Sequence, residues 1–232
     1  MLSDLVADFQ KLRNPQKAKI LSRFFKTGKG EYGEGDIFLG ITVPQTRAIA
    51  KKYTHLNLKD LEKLLSSKIH EYRLIALLIL IENYKKASIE NKNLIFNFYI
   101  KNTKFINNWD LVDLSAPHIV GNFLLDKDKS ILYNLAKSSN LWEKRIAIIS
   151  TYAFIRLYKF KHTLKISEIL MNDNHDLIHK AVGWMLREVG KRNKEVEEKF
   201  LNQHYMKMPR TMLRYAIEKF ENNKRKKYLE RN

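Results

Sequence analysis

Residues 175–191 read HDLIHKAVGWMLREVGK and separate into two faces when they are wound as a helix. Successive residues turn by about 100°, which gathers the apolar side chains on one side: Ile178, Ala181, Val182, Met185, Leu186 and Val189. The opposite stripe holds Trp184 among three cations, Lys180, Arg187 and Lys191. The spacing predicts an amphipathic helix. Its polar stripe fits either a surface cluster of cations packed on an indole or a face that contacts nucleic acid.

The rest of the chain shows the same helical spacing, with few glycines (8) and prolines (4). We predict helices near 2–12, 15–26, 44–53, 58–66, 69–85, 88–102, 109–121, 128–138, 140–157, 161–171, 175–191, 193–203 and 209–221. Short connections and helix pairs of about 35–45 residues are typical of a solenoid of HEAT-like (armadillo-type) repeats. We therefore expect an all-α fold without a parallel sheet. It forms one domain, 1–221, and a basic tail, 222–232, whose charges are typical of a solvated segment.

The charge of the chain indicates a polyanionic partner. The formal net charge is +18. Such a charge favours binding to nucleic acid or to an anionic membrane surface, or it only keeps the protein in solution. No cysteine is present, so disulfides and thiolate zinc sites are excluded. The longest apolar run, Leu74–Ile81, is far shorter than the roughly 20 residues of a membrane span, and no signal peptide is evident. We expect a cytoplasmic protein that does not bind membranes.

One predicted helix carries an aspartate on an apolar face. Asn108 suits a helix cap, so a helix should begin at Trp109, with Asp113 four residues further on the same face. A carboxylate in that position is costly unless a cation lies beside it. Arg145 lies within an apolar stripe of the predicted helix 140–157 and needs an anion in turn. Its partner is either Asp113, in a buried bridge between helices, or a phosphate.

Two further patterns are weak. Gly28, Gly30 and Gly33 spell G-x-G-x-x-G, but no strand precedes them and neighbouring acidic residues would repel phosphates. We read this segment as a mobile connector. His175 and His179 are four residues apart without a third ligand, which does not make a metal site. We predict no metal and no cofactor.

Four motifs, in order along nearly the whole chain, resemble the AlkD-type DNA alkylation repair glycosylases. They are Phe38–Pro44 with the later Arg73, then Trp109–Asp113, Trp142 with Arg145, and Gly183–Glu188. The resemblance implies a HEAT-like repeat solenoid whose concave basic face holds duplex DNA. It also implies removal of cationic N3- or N7-alkylated purines to leave an abasic site, without flipping the base into a deep pocket.

The resemblance also implies roles for particular residues. The catalytic group would be Asp113, Arg145, Trp109 and Trp184, with no cofactor. We assign DNA contacts to Lys180, Arg187, Lys191, Trp142, Lys144, Arg73 and Tyr32. A tyrosine that the family carries on an early helix aligns with Phe24, so a hydroxyl is lost, and Tyr32 on the longer glycine-rich loop is a candidate replacement.

The expected partner is double-stranded DNA with alkylated bases, bound by a monomer that is nucleoid-associated in a prokaryote. Two other functions stay open at this point. A non-catalytic DNA-binding relative would keep the basic groove without the chemistry. A helical-repeat scaffold would instead bind an acidic protein, and its binding would lack the steep salt dependence that phosphate contacts confer.

Overall fold

The computed structural model of the chain describes residues 1–230. Within them the secondary structure is helical, and the one β feature is an isolated bridge between Ile37 and Ile69. The chain divides into two compact units, Met1–Ser115 and Ala116–Asn232. The predicted all-α class is therefore confirmed.

The first unit contains seven α-helices. They are α1 (Leu2–Lys11), α2 (Pro15–Phe24), α3 (Val43–Ala50), α4 (Leu58–Leu65), α5 (His70–Lys86), α6 (Ile89–Lys101) and α7 (Trp109–Ser115). Pro15 and Pro44 lie in the first turns of α2 and α3, as predicted, where a proline deprives the helix of no hydrogen bond. Asn14 caps α2 by accepting a hydrogen bond from the amide of Lys17 at 2.9 Å.

Helix α5 forms the centre of this unit. Its run Leu74–Ile81 is apolar on every side, and all of these residues are buried. A helix without a polar face needs cover all round, which α3, α4, α6 and α7 supply by packing against it. The apolar run is thus the middle of a core helix.

The second unit is organised around α12. Its helices are α8 (Ser130–Ala136), α9 (Leu141–Ser150), α10 (Tyr152–Ile155), α11 (Lys161–Leu170), α12 (Asp176–Gly190), α13 (Lys194–His204), α14 (Arg210–Ala216) and α15 (Asn222–Leu229). The predicted apolar face of α12 is buried, and α9, α11, α13 and α14 pack against this helix. Sequence neighbours pack on one another in both units, which is consistent with the predicted helical-repeat solenoid.

Two predicted helices are interrupted. The helix expected over 109–121 ends at Ser115 and is followed by a π-helical turn, Pro117–Gly121, in which the amide of Gly121 donates to the carbonyl of Ala116 at 2.9 Å. Proline has no amide to donate, which explains the irregularity at this point. The helix expected over 140–157 breaks at Thr151, whose hydroxyl donates to the carbonyl of Ile148 at 2.7 Å and competes with the backbone.

The segment predicted as a basic tail is helical over Asn222–Leu229. Its Tyr228 is buried, and the hydroxyl donates to Asn202 at 2.8 Å. The sequence did not predict α15 because the segment is charged on nearly every side. Arg231 and Asn232 lie outside the described residues. The proposed domain boundaries stay a prediction.

No helix among the described residues combines the length and the apolar character that crossing a bilayer requires.

Candidate functional site

Helix α7 begins at Trp109, as the sequence predicts. The side-chain oxygen of Asn108 accepts a hydrogen bond from the amide of Trp109 at 2.8 Å, and Asp110 accepts one from the amide of Leu111 at 2.8 Å. These contacts occupy amides that have no partner within the helix. They stabilise the first turn of α7, which carries Trp109.

The half-buried indole of Trp109 lies in an aromatic cluster formed with Phe24, Phe25 and Tyr32, called here the Trp109 cluster. Phe25 stacks on it with ring centroids 5.1 Å apart, and Phe24 meets it edge-on at 5.8 Å. The indole nitrogen donates to the hydroxyl of Tyr32 at 3.2 Å. Phe24 itself is 61% exposed. The hydroxyl that Phe24 lacks is therefore present beside Trp109, but it comes from Tyr32.

The glycine-rich loop that carries Tyr32 is held by its own side chains. Glu31 accepts from the amide of Gly28 at 2.9 Å, and Glu34 accepts from the amide of Gly30 at 2.8 Å. A Cβ atom at Gly33 would lie 2.5 Å from the carbonyl oxygen of Phe25, so the backbone approaches α2 as closely as only glycine allows. Amides of this G-x-G-x-x-G are thus used within the loop, and the expected mobility of the connector stays a prediction.

A buried charge network joins this loop to the start of α7. His70 contacts Asp110 through Nε2 at 2.8 Å and Asp36 through Nδ1 at 3.4 Å. Arg73 donates to the same oxygen of Asp36 at 2.5 Å. All four side chains are at most 8% exposed. We call His70, Asp36, Asp110 and Arg73 the His70 network.

The network holds His70 as a cation. Burial opposes the charged imidazolium, but the charge of Asp110 and the hydrogen bonds of both carboxylates outweigh it and raise the pKa of His70 to about 9. Burial likewise opposes ionisation of Asp36, but its hydrogen bond with His70 and the charge of Arg73 lower its pKa. Two cations and two carboxylates therefore balance in the interior. The predicted contact of Arg73 with DNA stays untested, and its observed contacts include Asp36 and the carbonyl of Ser67, to which its Nη1 donates at 2.9 Å.

Glu71 anchors the next stretch of chain. This carboxylate is 1% exposed and accepts from the amides of Leu39 at 3.0 Å, Gly40 at 2.8 Å and Ile41 at 3.2 Å. Sequence reasoning missed both His70 and Glu71. The one available signal was the presence of consecutive ionisable residues at the head of an otherwise apolar helix.

Asp113 lies one turn after Trp109 on α7 and is half-buried. It is close enough to Tyr99 for its negative charge to add to the effect of burial, which raises the pKa of that tyrosine. The Tyr99 hydroxyl lies 2.9 Å from the hydroxyl of Ser115. The predicted spacing of Trp109 and Asp113 on one helix is confirmed.

In the second unit, Arg145 is 5% exposed on α9. Its Nη1 donates to the carbonyl of Leu177, in the first turn of α12, at 2.5 Å. Trp142 lies one turn earlier on α9 and is also buried. The position of Arg145 within an apolar stripe is confirmed, whereas its anionic partner stays a prediction.

The polar stripe of α12 has the predicted composition, but its cations are paired with acids. Lys180 lies 2.6 Å from Asp176, and Lys191 lies 2.6 Å from Glu188. Arg187 pairs with Glu218, which is more distant along the chain. Lys144, which lies on α9, pairs with Asp173. The Trp184 indole is half-buried, donates to Glu188 at 3.3 Å and lies 6.4 Å from the ring of Tyr152. A DNA phosphate at this stripe would compete with these carboxylates.

His175 and His179 make local contacts. His175 Nδ1 accepts from the amide of Leu177 at 3.1 Å and caps α12, and His179 Nε2 lies 2.5 Å from the carbonyl oxygen of Asp173. Across residues 1–230, no three acidic, histidine or cysteine side chains converge as a metal site would require.

The sequence matches the family described as DNA alkylation repair enzyme over residues 5–220. The chain belongs to this DNA alkylation repair family. The fold is similar to that of a structure described as a predicted DNA alkylation repair enzyme from Enterococcus faecalis, at 18% identity and a TM-score of 0.71. That similarity covers 90% of this chain and 97% of the other. No curated protein matches the sequence significantly.

As a member of the DNA alkylation repair family, the chain carries its predicted site residues in both compact units. Tyr32, Arg73, Trp109 and Asp113 lie in Met1–Ser115. Trp142, Lys144, Arg145, Lys180, Trp184, Arg187 and Lys191 lie in Ala116–Asn232. Within the first unit the structure brings Tyr32 and Trp109 into contact, and within the second it ties Arg145 to the head of the helix that carries Trp184.

Proposed function

We propose that this family member is a monofunctional DNA glycosylase. Its substrate would be a cationic purine, alkylated at N3 or N7, in duplex DNA, and its product an abasic site. The observation that carries the proposal is the Trp109 cluster, with a carboxylate, Asp113, one turn further along the same helix. Membership of a DNA alkylation repair family supports the class of substrate.

The reaction needs few catalytic groups besides these. An alkylated purine is already cationic, so when the C1′–N bond breaks, the bonding electrons neutralise the base and no general acid is needed. One carboxylate then suffices, in contrast to the acid and nucleophile or base pair of ordinary glycosidases. Asp113 would stabilise the developing oxocarbenium charge and take a proton from the attacking water.

The aromatic residues would act on the sugar. An indole face stabilises nearby positive charge, and Trp109 is held in one orientation by Tyr32 and Phe25. We assign a similar contact to Trp184, and the grip on a backbone phosphate to Arg145. The remaining predicted contacts, from Trp142, Lys144, Lys180, Arg187 and Lys191, would hold the duplex on a concave basic face.

Asp113→Asn tests the catalytic assignment. The variant should release N7-methylguanine from duplex DNA about 10²–10⁴-fold more slowly than the wild type. The substitution removes the general base and the negative charge of the carboxylate together. Its affinity for undamaged duplex should stay near that of the wild type. Asp126→Asn is the matched control, since Asp126 is an exposed aspartate whose ion pair is with Lys159, at 3.4 Å.

Full activity in Asp113→Asn would make this carboxylate structural and refute the assignment. A wild-type protein that binds duplex DNA with strong salt dependence but releases no base would be a DNA-binding relative without the chemistry. A protein that does not bind duplex DNA at all would favour the scaffold.

A further inference from the structure

A polar cavity of about 480 Å³ lies in the second unit between α12, α14 and α15. Its basic lining residues are Lys180 on α12, Arg214 on α14 and Arg225 on α15, and Tyr215 lies beside them. Lys180 also belongs to the polar stripe of α12. The cavity therefore continues that stripe onto two helices where the sequence analysis placed no site residue.

The acidic residues of the cavity already have cationic partners. Asp176 lies 2.6 Å from Lys180, and Glu218 pairs with Arg187 and, at 3.2 Å, with Lys219. The guanidinium groups of Arg214 and Arg225 make no ion pair or hydrogen bond with any of residues 1–230. The cavity is thus left with two positive charges that no carboxylate of the described chain neutralises.

Arg225 also has a hydrogen-bond donor without a partner. Its Nε atom is buried and has no hydrogen-bond partner. A buried N–H without an acceptor costs free energy. Arginine presents its donors as a planar fork that matches the oxygens of a phosphate group, and Arg214 supplies a second fork at the same cavity.

We propose that this cavity binds one phosphodiester phosphate of the DNA backbone, held by Arg214 and Arg225. The proposal rests on the proposed function, since it supposes that the protein engages duplex DNA. It extends the DNA contact beyond the stripe of α12. It also gives α15, which the sequence suggested was a solvated tail, a part in substrate binding.

The experiment compares two double variants on the full chain. Arg214→Ala/Arg225→Ala removes both charges from the cavity, and Lys226→Ala/Lys227→Ala removes the same charge from the exposed side of α15. The affinity for an undamaged duplex is measured by fluorescence anisotropy over a range of salt concentrations. Thermal unfolding followed by circular dichroism checks that each variant is folded.

Losing one phosphate contact should lower the slope of log affinity against log salt by about 0.9, which makes binding roughly tenfold weaker at 0.1 M salt. The cavity variant should show this loss, and the lysine variant should keep a slope close to that of the wild type. Equal slopes in the two double variants would overturn the proposal.

Glu218→Gln guards against a trivial loss through misfolding. It removes a negative charge from the cavity, so duplex binding should become roughly twofold to fivefold tighter. A misfolded protein cannot produce that gain, and unchanged affinity would count against the site.

The same samples separate this inference from the proposed function. If the wild type releases N7-methylguanine while the cavity variant binds like the lysine variant, the phosphate site fails and the glycosylase stands. If the cavity variant shows the lower slope of log affinity against log salt but the wild type releases no base, the phosphate site stands and the glycosylase fails. If the wild type does not bind duplex DNA, both fail.

Discussion

The substitution His70→Gln should destabilise the protein strongly near pH 6. A pKa raised from 6.5 to about 9 corresponds to roughly 3 kcal/mol of folding free energy. Glutamine is similar in size and can donate to one carboxylate, but it carries no charge. Asp36 and Asp110 would then have only Arg73 as a buried cation, and breaking such a network is costly.

The loss of folding stability caused by His70→Gln should decrease as the pH rises. Because the pKa of His70 in the folded state lies above its value in the unfolded chain, its stabilisation is present in full below about pH 6.5 and disappears as pH rises through about 9. The variant has no ring that titrates. The difference in free energy of unfolding between wild type and variant should therefore shrink from about 3 kcal/mol near pH 6 towards zero near pH 10.

Urea unfolding at pH 6, 8 and 10, followed by tryptophan fluorescence, measures this difference. The control is His55→Gln, because His55 is an exposed histidine of the same unit, and its effect should stay within about 0.5 kcal/mol at every pH. A deficit for His70→Gln that stays the same from pH 6 to pH 10 would show that the network does not hold a proton, and would refute the reasoning.

Three other substitutions have expected outcomes. Tyr32→Phe removes the acceptor of the Trp109 indole, so it should cost about 0.5–1.5 kcal/mol in urea unfolding and slow single-turnover base release without weakening the binding of undamaged duplex. Glu71→Gln places an amide against three backbone N–H groups and should cost about 1.5–3 kcal/mol in the same unfolding measurement. Burial and the charge of Glu198 raise the pKa of Glu197 to about 8, so the folded state loses stability as pH rises from 4.5 through 8. Glu197→Gln should accordingly stabilise the protein by about 3 kcal/mol at pH 7 and have little effect below pH 4.5, as unfolding at the two pH values would show.

Helical periodicity predicted the parts of the molecule that depend on local spacing. The two faces of α12 and the start of α7 at Trp109 both follow from residues within a few positions of one another. The pairing of Lys180 with Asp176, which the sequence analysis did not predict, is likewise a contact one turn along a helix. Such contacts are fixed once the helix forms, which is why a sequence can reveal them.

The contacts that the sequence did not reveal join distant positions. His70 meets Asp110 across forty residues and Asp36 across thirty-four, and neither carboxylate stands out by its own neighbours. Tyr32 reaches Trp109 because Gly33 packs against the carbonyl of Phe25, a close approach that no periodic pattern encodes. Helix α15 lacks an apolar face, so the cavity that contains Arg225 could not be predicted either.

The most direct test of the account is base release by the wild-type protein from a duplex that contains a single N7-methylguanine, analysed by mass spectrometry. The account predicts free 7-methylguanine together with an unbroken strand that carries one abasic site. A duplex that the protein binds but leaves chemically intact would contradict the central claim.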